Sequence, residues 1–163
     1  MLRTVPSHEK WKPKQCVEIE PSVFLELAPG ASLYLAAYLL NICPKIVPGS
    51  IIHDNACGTG VVTNEIMKAI PSAVNRNSGI SIHVTNLSPE MVEACQIMIH
   101  EHGWSDMVNV SLMGMQSLTF PDEMFTHSFA NFAIFSLPDD ETAQTASHIY
   151  RTLKPGGTAA LTT

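Results

Sequence analysis

Ile51-Ile52-His53-Asp54-Asn55-Ala56-Cys57-Gly58-Thr59-Gly60 is a short apolar run that ends in a carboxylate and then in two glycines. The pattern predicts a strand followed by a sharp turn. Gly58 and Gly60 let the backbone bend and approach a ligand with no Cβ in the way, and Asp54 places a carboxylate at the strand tip. After Gly60, the residues Val62, Ile66, Ala69 and Ile70 return at helical spacing until Pro71 stops them. Strand, glycine turn and helix in that order open an α/β unit. The loop alone has two readings, a ligand-binding turn or a tight strand-to-helix turn that holds nothing. A dinucleotide-binding fingerprint needs a third glycine where Thr63 stands, and no Gly-Lys-Ser or Gly-Lys-Thr follows, so a nicotinamide or flavin site fits poorly and a P-loop is absent.

Upstream, Pro44 and Pro48 end a helix whose expected inward face is Leu33, Ala36, Ala37 and Leu40. Residues 1–22 are polar, punctuated by proline and without period, and read as an N-terminal arm or partly ordered lid ahead of a domain over 23–163. Downstream, Ser72 to Gly79 reads as a loop and Ile80, Ile82 and Val84 alternate as a second strand. A helix then starts with Ser88 as N-cap, Pro89 at the first helical position and Glu90 facing the positive helix end; its core stripe is Met91, Cys95, Met98 and Ile99, and Gly103 closes it. Val108 to Leu112 is a third strand, and the nearly all-apolar stretch from Phe125 to Phe135 contains a fourth. Asp139 to Leu153 is the last helix, with Ala143, Ala146, Ile149 and Leu153 expected inward, and Lys154-Pro155-Gly156-Gly157 a turn into a fifth strand from Thr158 to Thr163. Alternating strands and helices predict an α/β fold with a mostly parallel sheet covered on both faces, whose ligands sit beyond the carboxyl ends of the strands.

Composition narrows the function. The chain has 163 residues with 45% apolar and 15% charged side chains, which fits one globular domain and excludes disorder, collagen and coiled coil. Its formal charge is −6, and no Lys or Arg lies between Arg76 and Arg151 while nine carboxylates do. A nucleic-acid partner, which needs clustered cations, is not expected. Cys16, Cys43, Cys57 and Cys95 form no CxxC pair and read as small buried hydrophobes of a reducing compartment. The N-terminus has no apolar h-region, and the run from Ala31 to Cys43 is too short to span a bilayer, so the expectation is a cytoplasmic protein with no membrane partner. The seven histidines hold no HExxH or other metal spacing, so no metal is expected; His53 and His127 read as bonded sheet residues and Cys57 as packing against the next helix. Asp139, Asp140 and Glu141 complement the dipole of the last helix.

Four segments, taken in order, resemble the motifs of class I S-adenosylmethionine-dependent methyltransferases. The stretch from Ile51 to Gly60 is similar to motif I, Thr85-Asn86-Leu87-Ser88-Pro89-Glu90-Met91 to the second-strand motif, Gln116 to Asp122 to the adenine-side loop, and Leu153-Lys154-Pro155-Gly156-Gly157 to the turn before the fifth strand. The wording of the glycine loop and of Phe129-Ala130-Asn131-Phe132 is most similar to small-molecule methyltransferases of fungal secondary metabolism, near the quinone-biosynthesis branch. The resemblance implies a Rossmann-like, doubly wound sheet of five strands in the order 3-2-1-4-5, without the family's usual sixth and seventh strands, and thus a domain that is C-terminally incomplete relative to the family. It implies S-adenosyl-L-methionine as cofactor, with Asp54, Ala56, Gly58 and Gly60 around its methionine part, Asn86 at the ribose, Leu87 on the adenine face, Met115 and Gln116 at the adenine edge, and Asn131 and Phe132 near the sulfonium. The expected reaction is methyl transfer to O, N or C of a small organic metabolite. A catalytically silent binding or regulatory module is the alternative. Three positions depart from the family pattern: Asn86 and Gly114 stand where it places carboxylates, and Ala56 replaces the first glycine of the loop. No general base is identified, since the positions where many relatives carry His-His are Phe135 and Ser136. Tyr34 and Tyr38 share a helix face, expected to pack, with cation–π contact to a sulfonium as the second reading. The edge of the fifth strand is a place for self-association or a partner.

Overall fold

The computed structural model describes residues 29–70, 78–134, 137 and 139–162. The expected arm, most of the loop from Ser72 to Gly79, and Phe135-Ser136 lie outside them. The element order is α1 (Pro29–Ile42), β1 (Ile51–Asn55), α2 (Val61–Ala69), β2 (Ser81–Asn86), α3 (Pro89–Glu101), β3 (Val108–Leu112), a 3-10 turn (Met115–Ser117), β4 (Phe125–Ala130), α4 (Asp139–Thr152) and β5 (Leu153–Leu161). The five strands form one sheet in the order β3-β2-β1-β4-β5, every neighbouring pair parallel. Each crossover contains a helix or the 3-10 turn, as parallel pairing requires.

One face of the sheet carries the apolar core, where Ile52, Ile82, Val84 and Phe129 meet Ala36 and Leu39 of α1, Val62 and Ile66 of α2, and Cys95 and Ile99 of α3. The other face is unusually polar. His53, Asn55, Thr85 and Ser128 are all fully buried, and register pairing of His53 with Ser128 and of Asn55 with Thr85 puts them on one side. The Thr85 hydroxyl donates to Asn55 Oδ1 (3.4 Å) and its oxygen accepts from His53 Nε2 (3.0 Å). Burial holds His53 neutral, with a pKa pushed down to about 3, and its ring stacks on Phe125 at 4.8 Å. His127 Nε2 donates to the Pro44 carbonyl (3.1 Å), at the amino end of the sheet. Both histidines are structural members of the sheet, as their strand positions suggested.

Two helix faces differ from expectation. In α1 the buried residues are Ser32, Ala36 and Leu39, while Leu33, Tyr34 and Tyr38 are exposed. This helix is apolar nearly all round, so its pattern selects no face, and a bond from Asn131 to Ser32 sets its rotation. In α4 the inward residues are Thr145, Ile149 and Thr152, and Ala143 and Ala146 face solvent. The Thr152 hydroxyl donates to the His148 carbonyl (2.9 Å), which lets a hydroxyl side chain serve as core. Leu153-Lys154-Pro155-Gly156-Gly157 is a bulge inside β5 and no separate turn: Phe125 pairs with Leu153 and His127 already with Thr158. Gly156, at φ 79, takes the left-handed conformation that this excursion needs. α3 follows expectation, with the Ser88 hydroxyl accepting from Met91 N (3.2 Å) and Gly103 at φ 70 closing the helix. Among the described residues no helix is long and apolar enough to cross a membrane.

Candidate active site

The carboxyl ends of β1, β2 and β4 open onto a cavity. The glycine loop forms its floor. Ala56 (φ 59), Gly58 (φ 55) and Gly60 (φ 89) are all left-handed, so the chain doubles back within five residues. The amide of Cys57 donates to the Thr85 carbonyl (2.9 Å), tying the loop to the end of β2. A left-handed alanine is uncommon, and here it is imposed by that tie and by the turn Gly60 N to Cys57 O (2.9 Å).

Asp54 faces the cavity from the tip of β1 with 1% of its surface exposed. Thr63 grips one of its oxygens twice: the Thr63 amide donates to Oδ2 at 3.0 Å and the hydroxyl donates to the same atom at 2.6 Å. The other oxygen, Oδ1, is buried with no partner among the described residues. Burial raises the Asp54 pKa to about 6, and the two Thr63 bonds pull it down only in part. Thr63 therefore has a use that the missing third glycine did not suggest, since it orients the carboxylate through one of its oxygens.

Asp54, Ala56, Gly58, Asn86, Leu87, Met115, Gln116, Asn131 and Phe132 all line the cavity. Gly60 does not. It caps α2 behind the loop, where an added Cβ would lie 2.4 Å from Met98 Cε and 3.1 Å from Cys95 Sγ, so its role is to let α3 approach. Asn131 lines the cavity but its amide is committed: Nδ2 donates to Ser32 O (3.0 Å) and Ser32 Oγ (3.1 Å), and Oδ1 accepts from the Thr162 hydroxyl (2.6 Å). It joins α1, β4 and β5 at the cavity rim. Asn86 Oδ1 accepts from Ser88 N (2.9 Å), which fixes the orientation of the amide. Cys57 is buried, its thiol held against the Gly58 carbonyl (3.2 Å) and close to Cys95, with its pKa raised chiefly by that neighbouring thiol and by burial. That makes it a packing group and a poor nucleophile. Sequence reasoning missed Ser32, Met91, Met113, Leu137 and Glu141 as lining residues. They come from α1, α3, α4 and adjoining loops, and no local signal marks them. Among the described residues no group of three or more His, Cys, Asp or Glu could hold a metal.

A buried carboxylate at the tip of β1, a left-handed glycine loop and a parallel sheet in the order 3-2-1-4-5 are one arrangement, and comparison with known proteins names it. Residues 52–157 match the methyltransferase domain family model. The chain belongs to that family. Among curated relatives it is 29% identical over 113 residues to the methyltransferase tpcH of Aspergillus fumigatus, covering 69% of this chain and 38% of that one. It is 32% identical over 113 residues to the ubiquinone/menaquinone biosynthesis C-methyltransferase UbiE of Geotalea daltonii, covering 69% and 45%. The chain thus spans less than half the length of these relatives. A solved S-adenosylmethionine-dependent methyltransferase fold from Methanococcus maripaludis superposes with a TM-score of 0.69 at 18% identity, covering 98% of this chain and 67% of that one. The methyltransferase cavity is lined on the described side by two carboxylates, Asp54 and Glu141, and by no Lys or Arg.

Proposed function

We propose that this methyltransferase domain binds S-adenosyl-L-methionine in the cavity at the strand tips and directs its methyl group to an O, N or C nucleophile of a small organic molecule. The observation that supports the reading is the Oδ1 oxygen of Asp54: a buried acceptor with no partner among the described residues, on a side chain that lines a cavity whose described lining holds no cation. Such an atom complements a positively charged ligand. The cofactor's methionine end would lie at Asp54, Ala56 and Gly58, its ribose at Asn86, its adenine against Leu87 and Met115 with Gln116 at the edge, and its sulfonium towards Phe132. When bound, it supplies an electrophilic methyl carbon. The residues of this chain do the rest. Met91, Met113, Phe132 and Leu137 exclude water, and Asn131 holds α1 against the ends of β4 and β5, so that the acceptor side keeps its shape. With no cation in the described lining, the acceptor favoured here is uncharged or cationic. The outer edge of β5 pairs with no described strand, and on this reading it is where a second chain adds.

Calorimetric titration with S-adenosylhomocysteine tests the proposal. Saturable binding that Gly58→Leu abolishes is expected, because Gly58 is left-handed and lines the cavity. No heat of binding at millimolar ligand rejects it. Binding without transfer to any member of a panel of phenols, amines and activated methylenes would favour a binding module over an enzyme.

A further inference from the structure

Gly114 is buried just before the 3-10 turn, between the cavity-lining Met113 and Met115, yet its backbone, at φ −80 and ψ 144, is ordinary extended chain that any residue adopts. Conformation does not require the glycine, but the volume beside it is taken. A Cβ built there would meet Gln116 Oε1 at 2.6 Å, Cδ at 3.1 Å and Nε2 at 3.3 Å. The carboxamide of Gln116 is folded into the volume that a side chain at 114 would occupy. Gln116 lines the cavity, and its carboxamide has no protein hydrogen bond among the described residues, while the groups beside it, Met113 and Met115, are apolar.

Three adjacent parallel strands, β1, β2 and β3, present their tips in a row, with strands about 4.8 Å apart. Beside those tips stand a carboxylate, Asp54 in β1, then the amide of Asn86 at the end of β2, then, in the 3-10 turn that follows β3, the amide of Gln116. We propose that Gln116 is the base-reading residue of the cavity, and that as an amide it accepts both 6-aminopurine and 6-oxopurine nucleosides. This rests on the cofactor reading above and deepens it. A carboxamide offers an acceptor and a donor on the same rotor. Oε1 takes the hydrogen of a 6-amino group, and rotation presents Nε2 to a 6-oxo group. A carboxylate in the same place accepts only, so it would face the 6-oxo oxygen acceptor to acceptor.

Titration calorimetry with S-adenosyl-L-homocysteine and S-inosyl-L-homocysteine tests this without any methyl acceptor. The wild-type domain is expected to bind both within about fivefold. Gln116→Ala should weaken both at least tenfold, and Gln116→Glu should keep the adenosyl ligand but lose the inosyl ligand at least tenfold. Gly114→Ala displaces the amide by contact alone and should act like Gln116→Ala, with circular dichroism showing that each variant is folded. A wild-type preference above a hundredfold for the adenosyl ligand overturns the proposal. So does unchanged binding in Gln116→Ala, or a selectivity that moves with Glu141→Gln and not with Gln116. Wild-type binding of neither ligand removes the cofactor reading itself, an outcome distinct from binding with the wrong selectivity.

Discussion

Asp54 concentrates the conflict between stability and binding in one side chain. Its carboxyl is driven up to about 6 by burial, from an ordinary value of 3.8. Between those two values the folded protein keeps a proton that the unfolded chain has lost, so the stability linked to Asp54 is complete below about 3.8 and disappears as pH rises through about 6. At neutral pH the ligand-free domain carries a buried charge at a cost on the order of 3 kcal/mol. Asp54→Asn is therefore expected to raise the melting temperature at pH 7.5, with the gain fading by pH 4, while weakening S-adenosylhomocysteine at least tenfold. Thermal melts at both pH values, paired with titration, check this; a variant less stable than wild type at pH 7.5 would contradict it. The carboxylate at the strand tip is legible from Asp54-Asn55-Ala56-Cys57-Gly58. Its gripping partner is not, because Thr63 reads only as the absence of a glycine until α2 folds back and brings its amide and hydroxyl onto Oδ2.

Between elements, the joints matter more than the elements. Gly60 sits at φ 89 beneath α3, and a methyl group there meets Met98. Gly60→Ala combines backbone strain with a clash and should cost about 1–3 kcal/mol. Adding Met98→Ala should recover the clash and leave the strain, a partial rescue that a pair of denaturant melts would show. Arg151 is a second joint. Its guanidinium donates to the carbonyls of Phe120 (2.7 Å) and Leu118 (2.8 Å) and to Asp122 Oδ1 (2.6 Å), tying the segment after the 3-10 turn to α4. Arg151→Ala and Arg151→Lys should both destabilise by about 1–3 kcal/mol, since an ammonium cannot span two carbonyls from one planar group. Asp122→Ala should change stability little, because that carboxylate is 71% exposed. Equal losses in the Asp122 and Arg151 variants would show that the ion pair, and not the carbonyl bonds, holds the loop. The order of elements and the start of α3 were legible, because capping and periodicity are local. The inward faces of α1 and α4 were not: one helix is apolar nearly all round, and the other turns the threonines Thr145 and Thr152 inward, of which Thr152 bonds back to the His148 carbonyl.

In the molecule as a whole, ligand and fold share one set of strand tips, so binding should be felt globally. At a hundredfold excess over its dissociation constant, S-adenosylhomocysteine should add about 2.7 kcal/mol and raise the melting temperature by several degrees. A melting temperature unmoved by saturating ligand would place the ligand elsewhere. The cavity gathers residues from positions 32 to 141, and this span explains how the two kinds of information divide. Local pattern was enough for the alternation of strands and helices, the glycine loop and the row of strand tips, because each depends on backbone geometry and near neighbours. Packing chose the rest. It turned Gly60 away from the cavity towards Met98, committed Asn131 to Ser32 and Thr162, and laid the Gln116 amide over Gly114. Each of those outcomes depends on which distant side chain arrives at a given volume, and volume is shared only after the chain has folded.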